Sequence, residues 1–406
     1  MNTMAAKLNI NSRIISLFIF FSVLVFLLVF LSRLYSTSVI DPVTIVALER
    51  DDLTLKLRWN KAYPGESFED VKKGLLWALS YLGATIPRGS VTKAIVREND
   101  TRFFLKLKEL GFDQNAQNAF RTIISKMKSS EEYTLHGGID VGRFIILTLN
   151  STYHYYAITG AYDKLESFKE KYNFQGNGID LKYSTVALGN RKIDVAEGDS
   201  FKDIAFIAFE GEGDISKDTF DIVEIETFDF FSNGQPKFAL YSKQGKIKTG
   251  ASAYLTRAGK PANCLWCHDD TFQPIHKEFA QPFATRMDAN DYNAKINLFK
   301  DLTGKYRSNL QTDLDIQKKQ DHVFMELLYL SFMEPSLYRL ANEWKLDENE
   351  ISKILAKYET HPHHEFKFLG DKLYKRREIE IHSPYNTLSI PSDPRETSEY
   401  EPNFFD

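Results

Sequence analysis

Cys264-Leu265-Trp266-Cys267-His268 holds both cysteines of a 406-residue chain. Two thiols three positions apart can each add to one vinyl group of a single porphyrin, and the next residue then offers an imidazole to the iron. Rival chemistries fit less well. A structural zinc site needs four ligands at matching spacing, and the chain has no third cysteine. A thioredoxin-like dithiol sits after an early strand of a βαβ unit, whereas this motif follows a long section that reads as antiparallel strands. The motif points to one covalently attached haem c carried by Cys264 and Cys267, with His268 as the proximal ligand of its iron.

Immediately upstream, Ile204–Phe209, Ile222–Phe230 and Phe238–Tyr241 are short aromatic and β-branched runs. Gly211–Gly213, Asn233-Gly234 and Gly245 separate them as turn signals, which predicts a β-rich section over 180–260 with at least one hairpin. Before it, Pro64-Gly65 closes a short strand and loop. Ser67 then stands as a cap for a helix whose Val71, Leu75, Ala78, Leu79 and Leu82 share one face. Ala116, Phe120, Ile123, Ile124 and Met127 mark a second such face, and the apolar run Val141–Ile158 fits helix or strand. Residues 34–179 are therefore expected as a mainly helical section. Behind the motif, His322–Phe332, Pro335–Trp344 and Glu350–Tyr358 predict a haem-binding helical section over 261–375. The proline-rich, acidic stretch 376–406 reads as an extended tail able to wrap the body.

From Ile14 to Leu31 the chain runs 18 residues without a charge, about 27 Å of helix and close to the thickness of a bilayer core. Lys7 and Arg13 precede this run, Arg33 comes after it, and an Ala-x-Ala cleavage site is absent, so a signal anchor over 13–33 is preferred to a cleaved signal peptide. The basic flank sets residues 1–12 in the cytoplasm and the body outside. The expected fold is α+β: a transmembrane helix, a helical section, a β-rich section, then the mainly helical haem-binding section.

Composition narrows the classes further. The 51 basic and 55 acidic residues give a net charge of −4, which provides no basic field for nucleic acid. With 31 Phe and 20 Tyr the chain has ample core volume, so disorder is not expected over most of its length. No Gly-rich phosphate loop, Gly-x-Ser-x-Gly elbow or His-Glu-x-x-His is present.

On Cys264, Cys267 and His268 the chain resembles the c-type cytochrome superfamily; the resemblance covers the motif and extends at most to the helices behind it. Gly250 and Tyr254 stand farther from Cys264 than the glycine and aromatic of single-haem class I cytochromes, so a β-rich body ending in the motif, as in some small-sheet cytochromes, fits the local order better. The resemblance implies attachment of haem on the periplasmic side of a bacterial inner membrane, with a single-pass N-terminal helix as the membrane contact. It implies electron transfer with an unidentified redox partner protein. The alternative is a haem enzyme or small-ligand sensor with an open distal iron site, acting on a peroxide, a nitrogen oxide or a similar molecule.

In this family the second iron ligand is often a methionine on a later loop near a proline. Met333, in Phe332-Met333-Glu334-Pro335, matches that position; His322 and Met325 are alternatives, as is an open site. His276 stands about two turns beyond the motif on an expected helix, too close along the chain to reach the opposite face of the ring. Two further clusters are weighed. Asp140 and Arg143 with His154 could line a small-molecule pocket, touch haem propionates or form a satisfied polar network, and His361-Pro362-His363-His364 could bind a metal or lie solvated.

Overall fold

A computed structural model describes residues 41–182, 187–217, 219–256, 259–268, 272–280, 286–392 and 401–406, with backbone alone for Pro42, Trp266 and Cys267. Ser67 caps α1 (Phe68–Ser80) by accepting the Asp70 N–H, and Asp113 caps α2 (Gln114–Lys128) in the same way through Ala116. Both helices bury the apolar faces that their spacing predicts. They pack on a sheet of which only the short strand before Pro64-Gly65 is expected from the sequence: β1 (Thr54–Arg58), β2 (Ile95–Arg97), β3 (Arg102–Lys106) and β4 (Ile139–Asp140) stand in the order β2-β3-β1-β4, with β1 antiparallel to β3 and parallel to β4. The run Val141–Ile158 is helical, as α3 (Val141–Ile145), a π turn (Ile146–Asn150) and α4 (Thr152–Thr159), which Ser151 caps.

The second sheet is a six-stranded antiparallel meander of β5 (Phe174–Leu181), β6 (Asn190–Ala196), β7 (Ala205–Glu212), β8 (Asp221–Phe230), β9 (Pro236–Ser242) and β10 (Ile247–Lys248). Gly234, at φ +82°, supplies the left-handed turn between β8 and β9. Behind the sheet come α5 (Pro261–Cys267), α6 (Ala289–Ser308), α7 (Val323–Met333), α8 (Leu337–Trp344), α9 (Glu348–Ile354) and α10 (Arg376–Ile379). Helices α1 and α7 approach closely at Gly74, where a Cβ would stand 2.5 Å from the Phe324 carbonyl oxygen.

These elements correct the expected fold. Among the described residues no helix is long and apolar enough to cross a membrane, and the span expected over 13–33 lies outside them. The body is α+β with two sheets, because the section expected to be mainly helical carries β1–β4. In the described part of 376–406, Arg376 is fully buried, the Leu388 carbonyl accepts from Arg143 and the Ser392 carbonyl from Asn150, so this stretch lies against the body.

Arg376 enters a closed network of charges. Its guanidinium donates to both oxygens of Glu343 at 2.8 and 2.7 Å, and Arg339 reaches the same carboxylate at 3.2 Å. Arg143 pairs with Glu132 at 2.8 Å and Glu380 at 2.6 Å, Arg58 with Glu132 at 2.8 Å, and Arg339 with Asp140 at 2.8 Å. Arg143, Arg339 and Arg376 also surround the Phe332 ring. Asp140 and Arg143 are thus parts of a satisfied network and do not line a pocket. Burial alone would push the Glu343 carboxyl up, but Arg376, Arg339 and Arg143 together hold it well below the usual range. Its contribution is therefore present above the unfolded carboxylate pKa of about 4.3 and is lost as pH falls through the folded value. Glu343→Gln is expected to cost about 3–5 kcal/mol at pH 7 and to flatten the acid limb of a urea-denaturation stability profile. A loss under about 1 kcal/mol would contradict this assignment.

Candidate haem site

Helix α5 starts with Pro261 in its first turn and ends at His268, whose N–H closes on the Cys264 carbonyl at 2.9 Å. Positions 264 and 267 thus lie within one helical turn. Ala262, Cys264 and Leu265 are buried. The helix rests on β9 and on the π turn, and two tyrosines of α4 fix that strand. Tyr155 accepts the Phe238 N–H at 3.3 Å; Tyr156 accepts the Leu240 N–H at 3.0 Å and donates to the Lys248 carbonyl at 2.8 Å.

His268 emerges from this base into a cavity of about 500 Å³, inside the ~300–1,000 Å³ span of cofactor pockets. The floor is the sheet. Phe206, Phe228 and Phe238 face one another across three neighbouring strands, with ring centroids 5.4 and 4.9 Å apart. The His268 ring lies 5.2 Å from Phe228 and 5.3 Å from Phe238. Along the strands the next row brings Glu226 beside Ala208 and Ile193, and the row after it Arg191, so the floor becomes polar. Tyr292 and Ile296 of α6 form one wall, and the segment 272–279 forms the other. That segment is tied down: Asn293 bonds the N–H and carbonyl of Ile275 at 2.8 and 2.7 Å, and the Phe279 carbonyl accepts the Lys182 N–H at 2.8 Å. Arg286 closes the loop onto Asp180 and Asp194 at 2.9 and 2.7 Å.

These residues fit a haem. The two attachment positions share a turn, and the imidazole faces an aromatic floor. Cys264 is not among the residues that line the cavity; its thiol lies 3.8 Å from the Lys260 carbonyl oxygen.

No protein-family model, no curated protein and no solved structure matches the chain.

The remaining expected site residues disperse. Met333 packs with Ile146, Tyr329 and Phe332, Met325 is in the main core, and His322 pairs with Glu326 at 3.2 Å between Trp77 and Tyr81. None of the three lines the cavity, whereas His276 does. The expected helix is not formed over 272–280, where irregular chain and a turn lead to a bridge between Leu181 and Ala280. His361 pairs with Glu334 at 2.9 Å and His363 stacks on Phe366; among the described residues no three His, Cys, Asp or Glu gather as a metal site. Sequence reading missed Arg191, Glu226 and Tyr292. The usable signal was parity: Glu224 and Glu226 fall in phase with Phe228 and Phe230, so charges share the inward face of a strand.

The C-terminal residues brace the motif helix. Lys260, the residue before α5, is 1% exposed; it pairs with Glu401 and donates to Ser392 at 3.1 Å. Glu401 also accepts the Thr152 N–H at 2.8 Å, and Phe404 donates its N–H to His154 Nε2 at 3.1 Å. Burial pushes the His154 pKa down to about 4 against the pull of the Leu147 carbonyl, so this imidazole is neutral. The stability gained from the neutral form is present above about pH 6.5 and is lost as pH falls toward 4. Glu401→Ala leaves Lys260 buried without its carboxylate. Amide exchange over 261–267 should then quicken by at least tenfold at pH 7, ahead of α1 and α2. Unchanged exchange there would refute the brace.

Proposed function

We propose that this protein is an exported electron carrier with one haem c, joined to Cys264 and Cys267 and bound at its iron by His268. The observation that carries this reading is the projection of His268, at the end of the Cys-x-x-Cys helix, into an aromatic-floored cavity of cofactor size. When bound, the haem supplies a one-electron couple. The chain's own part is to hold it and to exclude water: Phe206, Phe228, Phe238 and Phe272 surround the site with apolar surface, which lowers the local dielectric and tunes the potential. His276, the second imidazole on the cavity wall, is the proposed partner ligand in place of Met333. The uncharged run Ile14–Leu31, with Lys7 and Arg13 ahead of it, supports delivery of the body to the periplasmic side of a bacterial inner membrane and attachment there.

A second reading has one observation of its own. Arg191 and Glu226 line the same cavity, and such charges suit a haem site that binds a peroxide or a nitrogen oxide. Carbon monoxide separates the two.

Expressed in a host that attaches haem, the chain should keep its haem through acid–acetone extraction, and Cys264→Ala/Cys267→Ala should lose it. The reduced protein should not bind carbon monoxide, and His276→Ala should gain that binding. Extractable haem, or none, would overturn the proposal; carbon monoxide binding by the unaltered protein would favour the second reading.

A further inference from the structure

Glu226 sits at the polar end of the cavity floor in an arrangement that leaves one charge over. It lies between Ala208 on β7 and Leu240 on β9 and lines the same cavity as His268. Two residues along the same face of β8 is Phe228, 5.2 Å from the His268 ring, which places Glu226 about 7 Å further along the strand. The nearest cation is Arg191. Its guanidinium forms a close pair with Glu210 and approaches Glu226 only at 3.8 Å. One arginine therefore stands between two inward-facing carboxylates. Glu224, on the same face, is taken up by Lys248 at 2.7 Å and the Ser252 N–H. The other titratable groups on the cavity are Tyr292, His268 and His276. Among the described residues Glu226 Oε1 is buried with no hydrogen-bond partner.

We propose that Glu226 is a proton acceptor coupled to the electron at this site: as the cavity gains one electron from a one-electron donor, the Glu226 carboxylate takes one proton from solvent and becomes a neutral acid. Oxidation returns both. The inference rests on the haem reading above and extends it to proton-coupled electron transfer. Its physical basis is charge balance. With Arg191 committed to Glu210, the ionised Glu226 is the excess negative charge of the cavity, and an added electron makes that charge harder to keep. Burial, together with Glu224, already pushes the Glu226 carboxyl up from its usual range, Arg191 pulling the other way.

The test is the midpoint potential of the full haem-loaded chain, measured by optical redox titration between about pH 5 and 8. One proton per electron turns each tenfold change in proton activity into about 59 mV, so a slope approaching that value is expected over part of the range. Glu226→Gln should flatten it and Glu226→Asp should retain it. The unaltered protein gives a second readout that needs no variant: its reduced-minus-oxidised infrared spectrum should gain a carboxylic-acid carbonyl band that shifts in deuterium oxide. Covalent haem with a pH-independent potential and no such band overturns this inference alone. A slope that survives intact in Glu226→Gln assigns the proton elsewhere and overturns it as well. Absence of covalent haem overturns the haem reading and this inference with it.

Discussion

The Glu343 carboxylate is where the structure is tied. Three arginines from three helices converge on it: Arg143 of α3, Arg339 of α8 and Arg376 of α10. Their second partners spread outward to Glu132, Asp140 and Glu380. Isolated buried ions are costly, and such groups persist only when geometry satisfies nearly all of them. Here the geometry can exist only if β4, α7, α8 and the chain beyond residue 375 are all in place. The network is therefore a specification of topology more than a source of net stability. It selects the one docking of the C-terminal third on the first sheet that leaves no charge alone.

From this tie the mechanical path to the cavity is short. Asp140 caps α3, which continues through the π turn into α4. Tyr155 and Tyr156 of α4 then hold β9, and β9 holds Phe238 against His268. The π turn adjusts this path, because it adds a residue to the helix and rotates the segment beyond it. Thr148 answers the local disruption by donating to the Phe144 carbonyl at 2.8 Å. The Lys260–Glu401 pair closes the same base from the other side. The motif helix is thus held by long-range contacts at its start, leaving one wall of the cavity to the segment 272–279.

The motif was legible in the sequence because its chemistry is local, and β7, β8 and β9 of the meander were legible because their runs are aromatic or β-branched and their turns carry glycine. Of the first sheet only the short strand before Pro64-Gly65 was. All five residues of Thr54–Arg58 are buried, including Lys56 and Arg58, since their charges find Glu98 and Glu132 far along the chain. The alternation Leu55-Lys56-Leu57-Arg58 therefore suggests a half-exposed strand where a central one exists, and β2 and β4 are too short to leave a periodic trace. Met333 was chosen by its place near Pro335, a rule that presupposes helices wrapping the ring. In this fold a sheet occupies one side of the cavity, and Phe332 beside Met333 is committed to the arginine cluster.

The cavity itself was invisible for a related reason. Arg191 and Glu226 are 35 positions apart and meet only through the register Arg191↔Glu210 and Ala208↔Glu226 across β6, β7 and β8. A shift of one residue in either pairing would turn one charge to the opposite face. The Phe206–Phe228–Phe238 row resists such a shift, because each aromatic buried against its neighbours would be exposed by it. The residues that form the floor for His268 therefore also hold the charged row in place. An apolar row that fixes register and a polar row that depends on it make the electrostatics of the cavity a consequence of strand pairing, set before any cofactor is considered.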